Sequence, residues 1–221
     1  MRMNPEDSAK VAAAIGAAEA QTDGEINAIV AQSSDSYNDV VLHWALLAGL
    51  FPLAISAAWP HLLEWSASLL TGWEAPSLRF MLTLLVVKCI FVFLVARYLF
   101  GIPSIRIALT PAATRERRVR RRALMLFRAG TEQRTLSTTG VLLYLSLAER
   151  RAEIVADAAI HAKAPQEVWG EAMAALVAAM RDKRPGDGMA AAIERIGAVL
   201  AVHFPFTGTD PNEMPDRLIE L

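Results

Sequence analysis

Residues 139–157, TGVLLYLSLAERRAEIVAD, decide the fold. Gly140–Leu147 is almost continuously apolar, which predicts a central strand that is covered on both faces. Ala148-Glu149-Arg150 predicts a turn, and the alternation of apolar and polar residues in Arg151–Asp157 predicts an antiparallel partner strand. An isolated hairpin is only marginally stable. Further strands and helices must therefore cover these two strands.

The nearest candidate for a third strand is Glu25–Gln32, in which Ile26, Ala28 and Val30 alternate with polar residues. Because three strands are needed for a stable sheet, we expect this early strand to join the later hairpin. Helices are predicted from Asn4-Pro5, over Thr114–Ala129, from Pro165, and after Asp187. The sequence thus predicts one α/β domain with a small mixed sheet, divided between residues 1–39 and 101–204. A flexible tail is expected over 205–221, where periodicity is lost.

The insertion between these two parts, residues 40–100, is predicted to be a transmembrane helical hairpin. Val40–Leu63 contains no Asp, Glu, Lys or Arg, and Leu78–Phe100 is apolar except for Lys88 and basic residues near its ends. About 20 such residues are needed to cross a bilayer. The alternative is a buried helical pair in a soluble protein. We expect a multi-pass protein of the cell (inner) membrane.

Basic residues predict the orientation of this hairpin. The connection between the two apolar runs contains no Lys or Arg before Arg79, whereas residues 97–128 contain nine arginines. Such residues favour the cytoplasmic side. We therefore expect both termini to be cytoplasmic, which also lets the two parts of the domain meet. The single cysteine, Cys89, excludes a disulfide framework within the chain. The net charge of −1 does not indicate a class of partner.

Three segments together resemble the TPM domain family. They are the opening helix running into the strand Thr22–Val30, the hairpin Thr139–Asp157, and the closing helix Asp187–Leu200. The resemblance is greatest to a membrane-anchored bacterial branch of that family. It implies a three-layer α/β/α fold. Because some members are linked to phosphatase activity or calcium binding and others act as accessory proteins, the resemblance does not fix an activity.

No P-loop, GxGxxG, HExxH, GxSxG or EF-hand pattern occurs. No cofactor is evident, and whether the protein is an enzyme stays open. We expect an accessory or interaction protein at the cytoplasmic face, whose partners are the lipid bilayer and another membrane protein or complex. The alternative, implied by the resemblance, is a phosphatase or metal-dependent hydrolase.

Candidate metal ligands follow two strands. Asp35 and Asp39 lie in the polar loop after the first strand, where α/β sheets often place ligands, and oxygen ligands suit calcium or magnesium. The alternative is a solvated linker. Asp157 is a third candidate, at the other end of the sheet. It could pair with His161, although His161 could equally be a loop residue.

The most basic segment is predicted to bind anionic lipid headgroups. Each cation near such a surface contributes about 1 kcal/mol. Nucleic acid is the competing partner, disfavoured because no aromatic residues are interspersed. The residues are Arg115, Arg117, Arg118, Arg120, Arg121 and Arg122.

Two polar residues fall within the apolar runs. Lys88 lies near mid-depth, where a lysine costs about 2.5–3.5 kcal/mol, and His43 lies near the cytoplasmic end of the first run. Lys88 could line an ion pathway or contact an oligomer partner, or it could reach the membrane surface through its long side chain. A small transport or channel component is accordingly a third functional hypothesis.

Overall fold

The computed structural model describes residues 3–131, 139–164, 166–207 and 217–221. The chain divides into two compact units. Met1–Asp35 and Ala113–Leu221 form the α/β unit, and Ser36–Ala112 forms the helical unit. The described elements, in chain order, are α1 (Pro5–Glu19), β1 (Glu25–Ala31), α2 (Asn38–Ala58), α3 (Pro60–Thr71), α4 (Leu78–Phe100), α5 (Pro103–Leu109), α6 (Ala112–Thr131), β2 (Gly140–Ser146), β3 (Arg151–Ala156), α7 (Ala158–Lys163), α8 (Gln166–Arg181), α9 (Pro185–His203) and β4 (Ile219–Glu220).

The described strands form one mixed sheet in the order β3-β2-β1-β4. β1 and β2 are parallel, with Glu25 opposite Gly140 and Ala31 opposite Ser146. β2 and β3 form the predicted antiparallel hairpin. The expectation that the early strand joins this hairpin is therefore confirmed, and the chain returns to the sheet after passing through the helical unit.

Helices cover both faces of the sheet, which gives the three-layer α/β/α arrangement. On one face α1, α8 and α9 contribute Val11, Leu176 and Ile193 to a core with alternate residues of the strands. On the other face Val119 and Ala123 of α6 pack against Ile29, Leu142 and Tyr144. Every residue of β2 is buried, as its continuous apolar sequence predicts.

Local sequence signals account for the start of α1. The Asn4 side chain accepts a hydrogen bond from the Asp7 backbone, the Asp7 carboxylate accepts one from the Asn4 backbone, and Pro5 occupies the first turn. This reciprocal capping box satisfies two backbone donors that a helix start leaves unpaired.

The end of the chain differs from the expected flexible tail. β4 pairs in parallel with β1, and the Leu221 N–H donates to the Val30 carbonyl at 2.8 Å. Earlier in the tail, Pro205 forms an isolated bridge with Thr22. Residues 208–216 lie outside the described part. The sequence did not predict β4 because a two-residue strand has no periodicity, and its pairing with β1 satisfies an otherwise free sheet edge.

The helical unit also contains elements beyond the predicted hairpin. α3 lies where the sequence indicated a connection, and it packs against both α2 and α4. α5 packs beside them, and the Trp44 indole donates to the Leu109 carbonyl at 3.2 Å. These contacts explain why this unit runs from residue 36 to 112, rather than over the expected residues 40–100.

Candidate functional site

A group of buried and half-buried polar side chains lies at the carboxyl ends of β1 and β2. We call it the Glu149 cluster; its members are Ser33, Ser34, Tyr144, Ser146 and Glu149. Glu149 is only 3 % exposed. Its Oε1 accepts hydrogen bonds from the Ser34 backbone at 2.9 Å and from Ser33 Oγ at 3.1 Å, and its Oε2 accepts one from Ser146 Oγ.

Strand direction explains why these residues meet. Because β1 and β2 are parallel, the loop after β1 and the turn after β2 lie at the same edge of the sheet. Side chains alternate along a strand, so Tyr144 and Ser146 both face the α6 side. Tyr144 then reaches the Ser34 hydroxyl at 3.0 Å. Burial raises the pKa of Tyr144, and the hydrogen bond with Ser34 offsets this only in part. Tyr144 is therefore a protonated phenol at neutral pH.

The buried carboxylate of Glu149 has a positioning role. It accepts at least three hydrogen bonds from the protein. These bonds stabilise a buried charge that would otherwise be costly. They also attach the loop after β1 to the β2–β3 turn.

The candidate metal ligands do not come together in the α/β unit. Asp35 Oδ2 lies 2.9 Å from Arg118 Nη1 of α6, so this carboxylate is paired with a cation. Asp157 Oδ2 accepts a hydrogen bond from the Gly140 backbone at 2.8 Å, at the amino end of β2. The length of β2, about 3.3 Å per residue, separates the two aspartates. They cannot share one ion.

The remaining candidate, Asp39, lies in the first turn of α2, where an acidic side chain complements the helix dipole. Within the residues that the structure describes, no group of three or more His, Cys, Asp or Glu side chains could hold a metal ion. The metal-binding role predicted for Asp35 and Asp39 at one end of the sheet, and for Asp157 at the other, stays a prediction.

Asp157 and His161, which the sequence allowed either as an acid–imidazole pair or as separate loop residues, make other contacts in the structure. Asp157 begins α7, a helix in a segment for which the sequence indicated a loop, and its backbone carbonyl accepts the His161 N–H at 3.0 Å. The His161 ring packs edge-on to Trp169, with centroids 6.1 Å apart. Burial of Ile160 explains why this short helix forms against the core.

The arginines of α6 divide between two faces of the helix. Arg115, Arg118 and Arg122 are half-buried, on the side that carries the buried Val119 and Ala123. The opposite side, which we call the outer face of α6, also includes two exposed apolar residues. Its members are Arg117, Arg120, Arg121, Leu124, Met125 and Arg128. The 3.6-residue period of the helix thus places three of the six predicted membrane-binding arginines on a different face from the rest.

Comparison with known proteins identifies the fold and the family. The model of the TPM domain family matches residues 103–199. This chain is a TPM-domain protein. Its structure is similar to the NMR structure of the BA42 protein from the psychrophilic bacterium Bizionia argentinensis, with a TM-score of 0.58 and 16 % identity, over 100 % of this chain and 97 % of that one. That likeness concerns the fold alone. No curated protein matches this TPM-domain protein.

The helical unit of this TPM-domain protein provides a partner for Lys88. Lys88 Nζ donates to Ser66 Oγ of α3 at 2.5 Å. His43 Nδ1 lies 2.5 Å from the Asp39 carbonyl one turn earlier in α2, so this nitrogen carries the proton that it donates. Sequence analysis missed Ser66 because the connection was not expected to fold back onto α4.

Proposed function

We propose that this TPM-domain protein is anchored in the membrane by α2 and α4 and acts at the cytoplasmic face as an accessory or interaction protein. The observation that carries this proposal is the exposure of both helices. They are long and apolar enough to cross a bilayer, yet only 17 % and 6 % of their most apolar windows are buried. The core helix of a soluble protein would be mostly buried.

The exposed side chains on these helices are large and apolar. A monomeric soluble protein rarely exposes a contiguous apolar patch larger than a few hundred Å², whereas lipid tails cover such surfaces in a membrane. The exposed residues include Leu46, Leu47, Leu50 and Phe51 on α2, and Leu82, Val86, Val87, Ile90, Phe91 and Leu94 on α4.

The proposed orientation follows from the arginines. No Lys or Arg lies between the end of α2 and the start of α4, whereas Arg97, Arg106 and the arginines of α6 follow. Under the positive-inside rule the α/β unit is cytoplasmic. The outer face of α6 then offers Arg117, Arg120 and Arg121 to anionic headgroups, with Leu124 and Met125 available for the acyl boundary.

An accessory role agrees with the Glu149 cluster, whose carboxylate positions two loops. The alternative, a hydrolase, makes a separate prediction. If the purified protein hydrolysed phosphoesters and lost this activity on Asp35→Ala or Asp157→Ala, the protein would be a hydrolase and the proposed accessory role would be wrong.

Cysteine labelling tests the anchor and its orientation. In a Cys89→Ser background, Glu74→Cys marks the connection before α4 and Glu194→Cys marks the exposed surface of α9. We expect a membrane-impermeant maleimide to label Glu74→Cys in intact cells and to label Glu194→Cys only after permeabilisation. Labelling of both in intact cells, or release of the protein from membranes by alkaline carbonate, would contradict the proposal.

A fluorescence measurement tests the outer face of α6. An environment-sensitive dye on Met125→Cys, again in the Cys89→Ser background, reports the surroundings of this face in the full-length protein. We expect a blue shift in nanodiscs of phosphatidylglycerol relative to phosphatidylcholine, reduced by Arg117→Gln, Arg120→Gln and Arg121→Gln together. Arg195→Gln on α9 is the matched control. Equal spectra in both lipids would exclude headgroup binding.

A further inference from the structure

The α/β unit contains a cleft of about 980 Å³, at the end of the sheet that carries the β2–β3 turn. Its walls come from the start of α1, the end of α8 and the hairpin. The buried side chains of Leu145, Leu147 and Leu176 form an apolar floor. Three cations, Arg150, Arg181 and Lys183, lie around it.

These three cations have no ion pair in the described part of the chain, although their neighbours do. Arg151, which also lines the cleft, pairs with Glu116 at 3.2 Å. Lys10 pairs with Asp187 at 2.7 Å, and Arg184 pairs with Asp182 at 3.1 Å. The carboxylate that lines the cleft, Asp7, is bound to the Asn4 backbone in the capping box. The three cations without an ion pair among the described residues outnumber this one carboxylate, so the cleft carries an excess of positive charge.

Two of these cations, Arg150 and Lys183, have the left-handed backbone conformation that favours glycine. Lys183 has φ +59° and follows α8 in a Schellman motif, in which its N–H bonds the Met180 carbonyl and the Arg184 N–H bonds the Ala179 carbonyl. Glycine is the usual residue at this left-handed position. Arg150 has φ +52° in the β2–β3 turn. Non-glycine residues held in this region cluster at functional sites.

The turn itself separates the two charged residues that it contains. Glu149 points into the Glu149 cluster on the α6 side, whereas Arg150 lines the cleft on the side of α1 and α8. Arg150 thus places a cation at this edge of the sheet despite its left-handed backbone conformation. A glycine at this position would provide no charge.

We propose that this cleft binds an acidic peptide segment of a partner protein. An apolar side chain of the segment occupies the leucine floor, and flanking aspartates or glutamates pair with Arg150, Arg181 and Lys183. This inference names the partner chemistry of the interaction function proposed above and rests on that function. It does not depend on the membrane orientation.

Charge placement favours a peptide over a small anion. Small-molecule sites orient their ligand through a few polar groups that converge within the pocket. Here the buried floor is apolar, and the unpaired cations belong to exposed side chains around it. An apolar centre surrounded by polar side chains is the anatomy of a protein–protein interface. Exposed charges of this kind increase the association rate and make it dependent on salt.

Peptide titration tests the proposal with the full-length protein in detergent. The probe is a fluorescent peptide with a central leucine pair flanked by aspartates and glutamates, and the reference is its Asn/Gln counterpart. We expect the acidic peptide to bind, the amide peptide to bind at least about tenfold more weakly, and affinity to fall with salt. Equal affinity for the two peptides, or no binding of the acidic one, would overturn the proposal.

Variants locate the binding to the cleft. Arg150→Gly with Lys183→Gly removes two cations at backbone positions that glycine accepts, so folding should persist. We expect about a tenfold loss of affinity. Val177→Asn, at a wall residue that is 44 % exposed, should also weaken binding. Arg195→Gln, which removes an exposed cation elsewhere, is the control. Unchanged affinity in the glycine variant would place the peptide elsewhere and overturn the proposal.

A competition experiment separates the peptide from a small anion. If inorganic phosphate displaces the peptide where sodium chloride of equal ionic strength does not, the cleft is a phosphate site and the peptide proposal is wrong. If the peptide does not bind but cysteine labelling is as expected, the peptide proposal is wrong and the membrane anchor is still supported. If the peptide binds but labelling is reversed, only the proposed membrane orientation is wrong.

Discussion

The carboxylate oxygen Oε1 of Glu149 lies 2.9 Å from the backbone nitrogen of Ser34, so the turn after β2 is hydrogen-bonded to the loop after β1. These two segments are far apart in sequence, and the whole helical unit lies between them in the chain. The bond therefore helps to close the α/β unit across a long insertion.

Loss of this carboxylate should open the loop. Glu149→Ala leaves the Ser34 N–H and the Ser146 hydroxyl without their acceptor, which we expect to lower the free energy of unfolding by about 1–3 kcal/mol. Thermal unfolding and hydrogen exchange of the segment around Ser34 measure the effect. Glu194→Ala, at an exposed position of α9, is the control. Unchanged exchange at Ser34 would show that this bond does not hold the loop.

Two glycines on neighbouring helices should respond oppositely to alanine. A Cβ at Gly197 of α9 would lie 2.5 Å from Ala18 Cβ of α1, so Gly197→Ala should destabilise the α/β unit by about 1–3 kcal/mol. Gly170 of α8 has no atom within 4 Å of that position. Gly170→Ala should stabilise by about 0.5–1 kcal/mol through helix propensity. Denaturant titration compares the two variants, and equal effects would contradict the close packing of α1 and α9.

The stability of the α/β unit should depend on pH through Glu153. Burial raises the pKa of Glu153 above its usual value of 4.5, while the nearby Arg120 and Arg151 lower it and Glu116 raises it. The folded state therefore holds this proton more tightly than the unfolded state does. The stability contributed by this proton is present below pH 4.5 and is lost as the pH rises through the folded-state pKa.

Glu153→Gln removes this dependence. We expect the variant to have a higher melting temperature than the parent protein at pH 7, and the difference to shrink below pH 4.5, where both states of the parent are protonated. Glu194→Gln provides the matched exposed substitution. A pH-independent difference would indicate that packing, rather than ionisation of Glu153, separates the two proteins.

Lys88 and Ser66 should be energetically coupled. Lys88 donates its hydrogen bond to Ser66, so Ser66→Ala should destabilise the helical unit by about 0.6–2 kcal/mol. In a Lys88→Leu background the same substitution should have a smaller effect, because only the hydrogen bond from Ser66 Oγ to the Leu63 carbonyl, at 2.8 Å, is then lost. Unfolding in mixed micelles gives the four free energies of this double-mutant cycle. Additive effects would show that α3 does not hold Lys88.

Much of the α/β unit was predictable from local patterns. Alternation in β1 and β3 and the continuous apolar run of β2 identified three strands, and Asn4 and Pro5 identified the start of α1. Strand accounting also predicted that β1 joins the hairpin. These predictions succeeded because periodicity and capping depend on neighbouring residues.

The contacts of the candidate site residues were not predicted. Asp35 pairs with Arg118, and Asp157 is bound to the Gly140 backbone. Ser66 was not recognised as a partner of Lys88. Each of these contacts joins residues from different elements, and residue spacing within one segment carries no information about them.

The sequence by itself determined three of the four described strands, the two long apolar helices and the basic character of α6, because side-chain hydrophobicity and charge repeat with the period of each element. Only the tertiary structure decided which arginines of α6 face the sheet, that β4 completes its edge, and that Arg150, Arg181 and Lys183 surround one cleft. Those features depend on how the chain folds back on itself, which is set by packing and hydrogen bonds between distant segments.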